Sequence, residues 1–276
     1  MRKRISPFAL FVFFATFIII IIASKSHYEK IENQKANHQQ TTTKQTSKIR
    51  KNLESSKQTF SYKPIIDLSG WQSPRDIDYD LMAENISGAI VRVHSGAQAK
   101  KENAAAYLNG LDKSYQTHIE EFQKRGIPVA VYAYVAASSK KEMEKEAEAF
   151  YKAAAPYQPT YYWLDVEEKT MSNMNAGIEA FRAKLEELGA KNIGIYIGTF
   201  FIEEHSIKTD KFSAIWFPTY GTDTGYYNAD PSTDMDYDLH QYTSKGRIAG
   251  IHHPVDLNQL SPAKNQREAY QKLFGS

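Results

Sequence analysis

Cysteine is absent from the 276 residues. Its absence excludes disulfides, thiolate zinc sites and a cysteine nucleophile together. In an exported protein it also fits a bacterium that folds its secreted chains without oxidation. Phosphate-cradling glycine loops are missing too: there is neither a P-loop nor a G-x-G-x-x-G. No G-x-S-x-G elbow presents a serine nucleophile. Surplus charge of one sign is also lacking, since the formal net charge is only +2. That small value hides an asymmetry. Residues 1–60 hold 11 Lys and Arg against three Glu, a net +8, so the remaining residues carry −6. The basic character therefore belongs to the N-terminal segment. No basic patch marks the rest of the chain for nucleic acid.

The N-terminal segment has two textures. Arg2-Lys3-Arg4 precedes an uncharged stretch from Ile5 to Ser24, with isoleucine at every position from 18 to 22. About 20 apolar residues cross a bilayer as a helix, whereas a cleaved signal has an apolar run of roughly 7–15 before a small-residue site. Residues 1–24 thus read as a basic cytoplasmic tip and a signal-anchor transmembrane helix. The positive-inside rule then places the remainder outside the cytoplasm. Cleavage of the segment would give a secreted domain instead. Residues 25–60 are rich in Lys, Gln, Thr, Ser and Asn and poor in large apolar residues. They read as a flexible polar stalk. Its lysines suit either anionic wall polymers or plain solubility.

Residues 61–276 read as one domain. Short apolar runs end at Leu68, Val93, Tyr134, Asp165 and Ile197, and amphipathic patterns cover 78–84, 113–124, 140–155 and 175–188. Ser139-x-x-Glu142 opens one helix as a capping box and Gly189 closes another. Near-continuous apolar strands alternating with helices imply a parallel sheet. Beyond Gly198 three further strands, at 214–217, 239–242 and 253–256, follow without clear helices between them, and 261–274 reads as a closing helix. The expected fold is α/β, an irregular β/α barrel of about five βα units plus three strands.

The sharpest chemical feature is Trp163-Leu164-Asp165-Val166-Glu167. Side chains on a strand alternate, so Asp165 and Glu167 face the same way. They close a strand at the end where β/α barrels carry their chemistry. Asp67 and Asp256 take similar strand-end positions. Four carboxylates at one mouth repel, which raises at least one pKa, as a general acid requires. Aromatic residues accompany them: Trp71, Tyr134, Trp163, Tyr196, Trp216, Tyr220 and Tyr242. Those at strand ends suit sugar stacking, while Trp163 suits core packing equally. Arg92 suits either a polar substrate group or a structural ion pair. His252-His253 with Asp256 raises a metal site, but adjacent strand residues face opposite ways, so only one histidine could join Asp256. No metal or other cofactor is expected.

These segments together resemble the glycoside hydrolase family 25 lysozymes, the N-acetylmuramidases. Ile66-Asp67-Leu68-Ser69-Gly70-Trp71-Gln72, Trp163–Glu167, Trp216–Tyr220, His240–Gly246 and Val255-Asp256-Leu257-Asn258 stand in the family's order. The resemblance implies hydrolysis of the β-1,4 bond between N-acetylmuramic acid and N-acetylglucosamine in peptidoglycan strands. It implies that Glu167 is the general acid, that Asp165 steadies the acetamido group, and that Asp67 and Asp256 complete the carboxylates. Arg92, Tyr134, Tyr196, Trp216, Tyr220 and Gln241 are then expected to bind substrate. Ile65, Ala133 and Phe217-Pro218 depart from the usual pattern, which bears on subsites more than on the reaction. Two other readings stand beside this one. A non-catalytic glycan-binding module would release no reducing ends, and a metal-dependent deacetylase would be sensitive to chelators.

Overall fold

A computed structural model describes residues 62–96 and 102–275. The expected membrane span and stalk at 1–24 and 25–60 lie outside these residues. Among the described residues no helix is long and apolar enough to cross a membrane.

Eight strands close into a barrel in sequence order. They are β1 (Ile65–Leu68), β2 (Gly88–His94), β3 (Val129–Tyr134), β4 (Tyr162–Val166), β5 (Ile193–Ile197), β6 (Ala214–Pro218), β7 (Leu239–Gly246) and β8 (Val255–Leu260). Helices α1 (Tyr79–Ala83), α2 (Tyr115–Lys124), α3 (Lys140–Ala154), α4 (Met174–Leu188) and α5 (Thr199–His205) follow β1 to β5 in turn, and α6 (Gln266–Phe274) follows β8. The short α5 falls where a strand-only texture was expected. No helix separates β6 from β7 or β7 from β8, which is the expected irregularity.

The last strand departs from the sequence reading in direction. Neighbours from β1 to β7 run parallel, but β8 is antiparallel to both β7 and β1. A parallel return needs a crossover of a dozen or more residues, and the eight residues from Arg247 to Pro254 allow only a hairpin. Asp256 therefore reaches the mouth at the start of a strand, not at its end.

Alternation sorts each strand between two cores. On β4, Tyr162, Leu164 and Val166 face the helices, with Phe150, Phe181 and Leu185 in the same cluster. Trp163 faces the lumen, together with Tyr161, Tyr196 and Trp216. Trp163 meets Trp216 edge to face at 5.6 Å, and Tyr196 meets Trp216 at 4.6 Å. Such pairs contribute about 0.5–1.5 kcal/mol beyond area burial. Gly194 on β5 leaves room for this filling, because a Cβ there would sit 2.4 Å from the Trp163 ring. Leu273 and Phe274 of α6 join the lumen cluster with Ile65 and Leu260. Phe274 packs over Gly88, where a Cβ would come within 3.0 Å of its ring. The interior is thus filled below, and only the mouth is left for chemistry.

Two helix ends follow from local signals. Ser139 caps α3 by accepting from the Glu142 amide at 3.3 Å. The Glu142 carboxylate reaches back to the amide of Ser138, one residue beyond a standard capping box, at 3.1 Å. Gly189 ends α4 at φ 107°, a left-handed conformation that favours glycine.

Candidate active site

The four carboxylates converge as expected. Asp67 on β1 lies directly opposite Asp256 on β8. Cross-strand partners share a face, so both acids enter the lumen, where they hydrogen-bond to each other. Asp165 ends the inner face of β4, and Glu167 follows it on the exposed rim, hydrogen-bonded to Asp165. The site thus contains two carboxyl pairs.

Asp67 is 4 % exposed and fully engaged. Its Oδ2 accepts from Gln241 Nε2 at 2.8 Å and from Asn258 Nδ2 at 2.7 Å. Gln241 Oε1 in turn accepts from the hydroxyls of Tyr196 at 2.7 Å and Tyr220 at 2.5 Å. Asn258 Oδ1 accepts from the indole N–H of Trp216 at 2.8 Å. Five side chains from β5 to β8 and the loop after β6 are thus wired to one carboxylate.

Electrostatics separate the members of each pair. Burial pushes the Asp67 carboxyl up to about 6, and the hydrogen bonds from Asn258 and Gln241 hold it back. Asp256 rises to about 9, through burial first and the charge of Asp67 second. Burial raises Asp165 well above the usual carboxylate range, and Glu167 and Asp67 add repulsion. Asp165 Oδ1 is buried and has no hydrogen-bond partner among the described residues, and the charge of Arg92 opposes the rise without reversing it. Glu167 is raised as well, by the protein around the mouth, although its side chain opens to solvent.

These shifts carry a stability consequence. A buried acid with a raised folded pKa binds its proton more tightly in the native state. Stability therefore falls as pH climbs from the unfolded value near 4 towards the folded value. For Asp256 that window runs from about 4 to about 9. Asp256→Asn should raise Tm by a few degrees near pH 8 and leave it unchanged near pH 4, as read by thermal melts at the two pH values. An equal change at both pH values would contradict the raised Asp256 pKa.

The expected binding residues divide. Tyr134 is half-buried beside Asp165, its register partner on β4, and its hydroxyl bonds to Glu168. Tyr220 is half-buried at the mouth. Tyr196, Trp216 and Gln241 are buried, and their polar atoms are spent on the network behind Asp67. Arg92 has a partner: its Nε and Nη2 reach Asp112 Oδ2 at 3.0 and 2.9 Å. Asp112 is fully buried and also accepts from the amides of Gly70 and Ser114 at 2.7 and 2.8 Å. Trp71 is 62 % exposed just past β1, an open aromatic face next to the site.

Three participants escaped the sequence reading. Asn258 shares the inner face with Asp256 two residues earlier, a period-two signal that was there to use. Asp112 gave only a weak signal, as an acid two residues before a helix cap. Tyr132, whose hydroxyl feels Arg92, Asp67, Asp165 and Asp256, looked like ordinary strand filling. His252 and His253 lie exposed in the hairpin turn before β8, not on a strand with Asp256. Among the described residues no cluster of three or more histidines and acids could hold a metal ion.

Comparison with known proteins gives a consistent picture. A sequence model of the Glycosyl hydrolases family 25 matches residues 66–251. That span contains Asp67, Asp165 and Glu167 and ends before Asp256. A glycosyl hydrolase 25 of Streptococcus pneumoniae, GHIP, described as a virulence factor participating in host cell invasion, is 64 % identical. The likeness covers 77 % of this chain and 92 % of that one, at a TM-score of 0.76. The catalytic domain of endolysin ply40 from Listeria monocytogenes bacteriophage P40 is 27 % identical over 79 % of this chain and all of that one, with a TM-score of 0.66. A lysozyme of Streptomyces coelicolor, 17 % identical over 78 % of this chain and 98 % of that one, shares the fold at a TM-score of 0.57. No match was found among curated proteins.

Proposed function

The chain belongs to glycosyl hydrolases family 25, and from that premise we propose that it is a peptidoglycan muramidase, hydrolysing the β-1,4 bond between N-acetylmuramic acid and N-acetylglucosamine. The observation that carries the reading is the pairing of a buried acid, Asp165, with a rim acid, Glu167, opposite a second carboxyl pair.

Each group has a task that suits its surroundings. Glu167 reaches the mouth, where a glycosidic oxygen can be met, and its raised pKa keeps a proton available for the leaving group. Asp165 lies deeper, and its unpartnered Oδ1 is an acceptor for the N–H of a 2-acetamido group. Asp67 is the more acidic member of its pair and supplies negative charge to the oxocarbenium-like centre. Trp71 offers a stacking face for a neighbouring sugar. Digestion of purified peptidoglycan, followed as loss of turbidity with and without a chelator, tests the reading. Clearing insensitive to chelator supports hydrolysis by carboxylates. Intact walls would leave only glycan binding, and chelator-sensitive deacetylation would point to the other enzyme.

Residues 1–24 are proposed to anchor the domain on the outer face of the cell membrane, on the strength of the Arg2-Lys3-Arg4 tip and the uncharged run that follows. The full chain should sediment with membranes and a chain lacking residues 1–24 should not. Release of the full chain into the medium would show cleavage instead.

A further inference from the structure

Asp67 and Asp256 face each other across two antiparallel strands, and two like charges at that spacing cannot both persist. One proton is shared, and its owner decides which acid carries charge. The surroundings of the two carboxyls are not equivalent. Oδ2 of Asp67 receives two amide N–H donors, one from β7 and one from β8.

The Asn258 amide cannot turn round. The indole N–H of Trp216 is a donor only, so the atom of Asn258 that meets it at 2.8 Å must be the carbonyl oxygen. The Asn258 nitrogen is thereby committed to Asp67, with a weaker bond to the Ile65 carbonyl at 3.3 Å. Gln241 Oε1 accepts from both tyrosine hydroxyls while its Nε2 donates to Asp67 Oδ2, an arrangement that the carboxylate favours, since a hydroxyl can donate or accept. A flip would place a carbonyl against the Asp67 carboxylate.

We propose that Gln241 and Asn258 are positioning residues that assign the shared proton: their amide N–H groups make Asp67 the carboxylate and Asp256 the acid. The deep aromatic Trp216 then has a second task besides packing: its indole N–H locks the orientation of Asn258, whose nitrogen reaches Asp67. The order of acidity within the pair, Asp67 near 6 and Asp256 near 9, agrees with this assignment. Other charged or titratable groups facing Asp67 are Glu167 and Asp165 from the β4 end, Tyr132 from β3 and Tyr220 from the loop after β6. All of them oppose a carboxylate when ionised, and Asp223 and Glu167 oppose ionisation of Asp256, so the two amide donors favour placing the charge on Asp67. Arg92, the cation on the inner face of β2, is held by Asp112.

The proposal rests on Asp67 acting in its ionised form in the muramidase reaction, so the acid limb of the rate profile reports its titration. Hydrogen bonds to a charged acceptor are among the stronger ones, and loss of one donor should move the limb up by roughly 1–2 pH units. The experiment measures kcat/KM against pH on solubilised glycan strands for wild type, Gln241→Met and Asn258→Ala. An upward shift of the acid limb in both variants, with the basic limb unmoved, is the expected result. A uniform fall at every pH, or an unmoved acid limb, overturns the proposal and indicates a purely structural role. Should either variant misfold, carboxyl-carbon NMR titration of the wild-type protein decides. Asp67 must lose its proton before Asp256, and the reverse order overturns the assignment. This titration needs no turnover. A correct order alongside an active Glu167→Gln variant would therefore sink the catalytic reading and spare the proton assignment.

Discussion

Glu167→Gln should lower turnover of purified peptidoglycan by about 10²–10⁴-fold, the range that a positioned general acid supplies. The amide keeps the shape and loses the transferable proton. The side chain is exposed on the rim, so the fold should not register the change. An exposed substitution of this kind typically alters stability by about 0.5 kcal/mol or less. Substrate affinity should hold, because the loss lies in the transition state. The wild-type rate should also fall as pH rises through the raised pKa of Glu167, since the acid must be protonated to act. A variant that digests walls at near-normal rate would return the role of acid to another carboxyl group, with Asp165 next in line.

Asp112→Ala should be the most destabilising single change outside the hydrophobic core. Asp112 is fully buried and answers three partners: the guanidinium of Arg92 and the amides of Gly70 and Ser114. Truncation strands the Arg92 charge, whose side chain is only 12 % exposed, inside the barrel wall. Breaking a buried ion pair from one side costs about 3–5 kcal/mol, because the remaining charge stays desolvated. For a domain of this size that corresponds to a fall in Tm on the order of 10 °C. The loop carrying Ser69, Gly70 and Trp71 loses its anchor as well, so activity should drop even below the melting transition. A calorimetric scan showing a change of less than about 2 °C would mean that water or Asp165 takes over the guanidinium. The double variant Arg92→Met with Asp112→Ala should recover part of the loss, since it removes the stranded charge.

The sequence carried the barrel and its carboxylates clearly, for physical reasons. Period-two alternation places Asp165 and Glu167 on one face, and that face is the mouth. Apolar strands alternating with amphipathic helices require a parallel sheet, and the first five βα units follow it. Direction was less legible at the end of the chain. Asp256 was placed correctly at the mouth but at the wrong end of its strand, because strand direction depends on the length of the hairpin from Arg247 to Pro254. Partnership was the least legible property. Arg92 and Asp112 are 20 residues apart, and nothing in either neighbourhood names the other. Trp216 and Tyr196 were expected against sugar, since aromatics near carboxylates suggest stacking, and Gln241 was expected there with its motif. Their burial depends on how many side chains the lumen must hold, which is a three-dimensional count. With them buried, the open aromatic face falls to Trp71.

The division of labour proposed for the four acids follows from depth. Asp67, Asp165 and Asp256 are pushed up by burial and sorted by their donors, while Glu167 alone stands on the rim. A barrel filled with Trp163, Trp216 and Tyr161 gives the acids a dry floor. That floor costs stability at neutral pH, and protonation chemistry is what it provides in return.

A muramidase cuts the glycan strand on the N-acetylmuramic acid side. Mass spectrometry of the products of purified peptidoglycan, with reducing ends marked by borohydride, reads which sugar carries the new end. New reducing ends should appear on N-acetylmuramic acid with wild-type protein and almost none with Glu167→Gln. New reducing ends on N-acetylglucosamine, anhydro ends, or equal release by the two proteins would contradict the proposed muramidase activity.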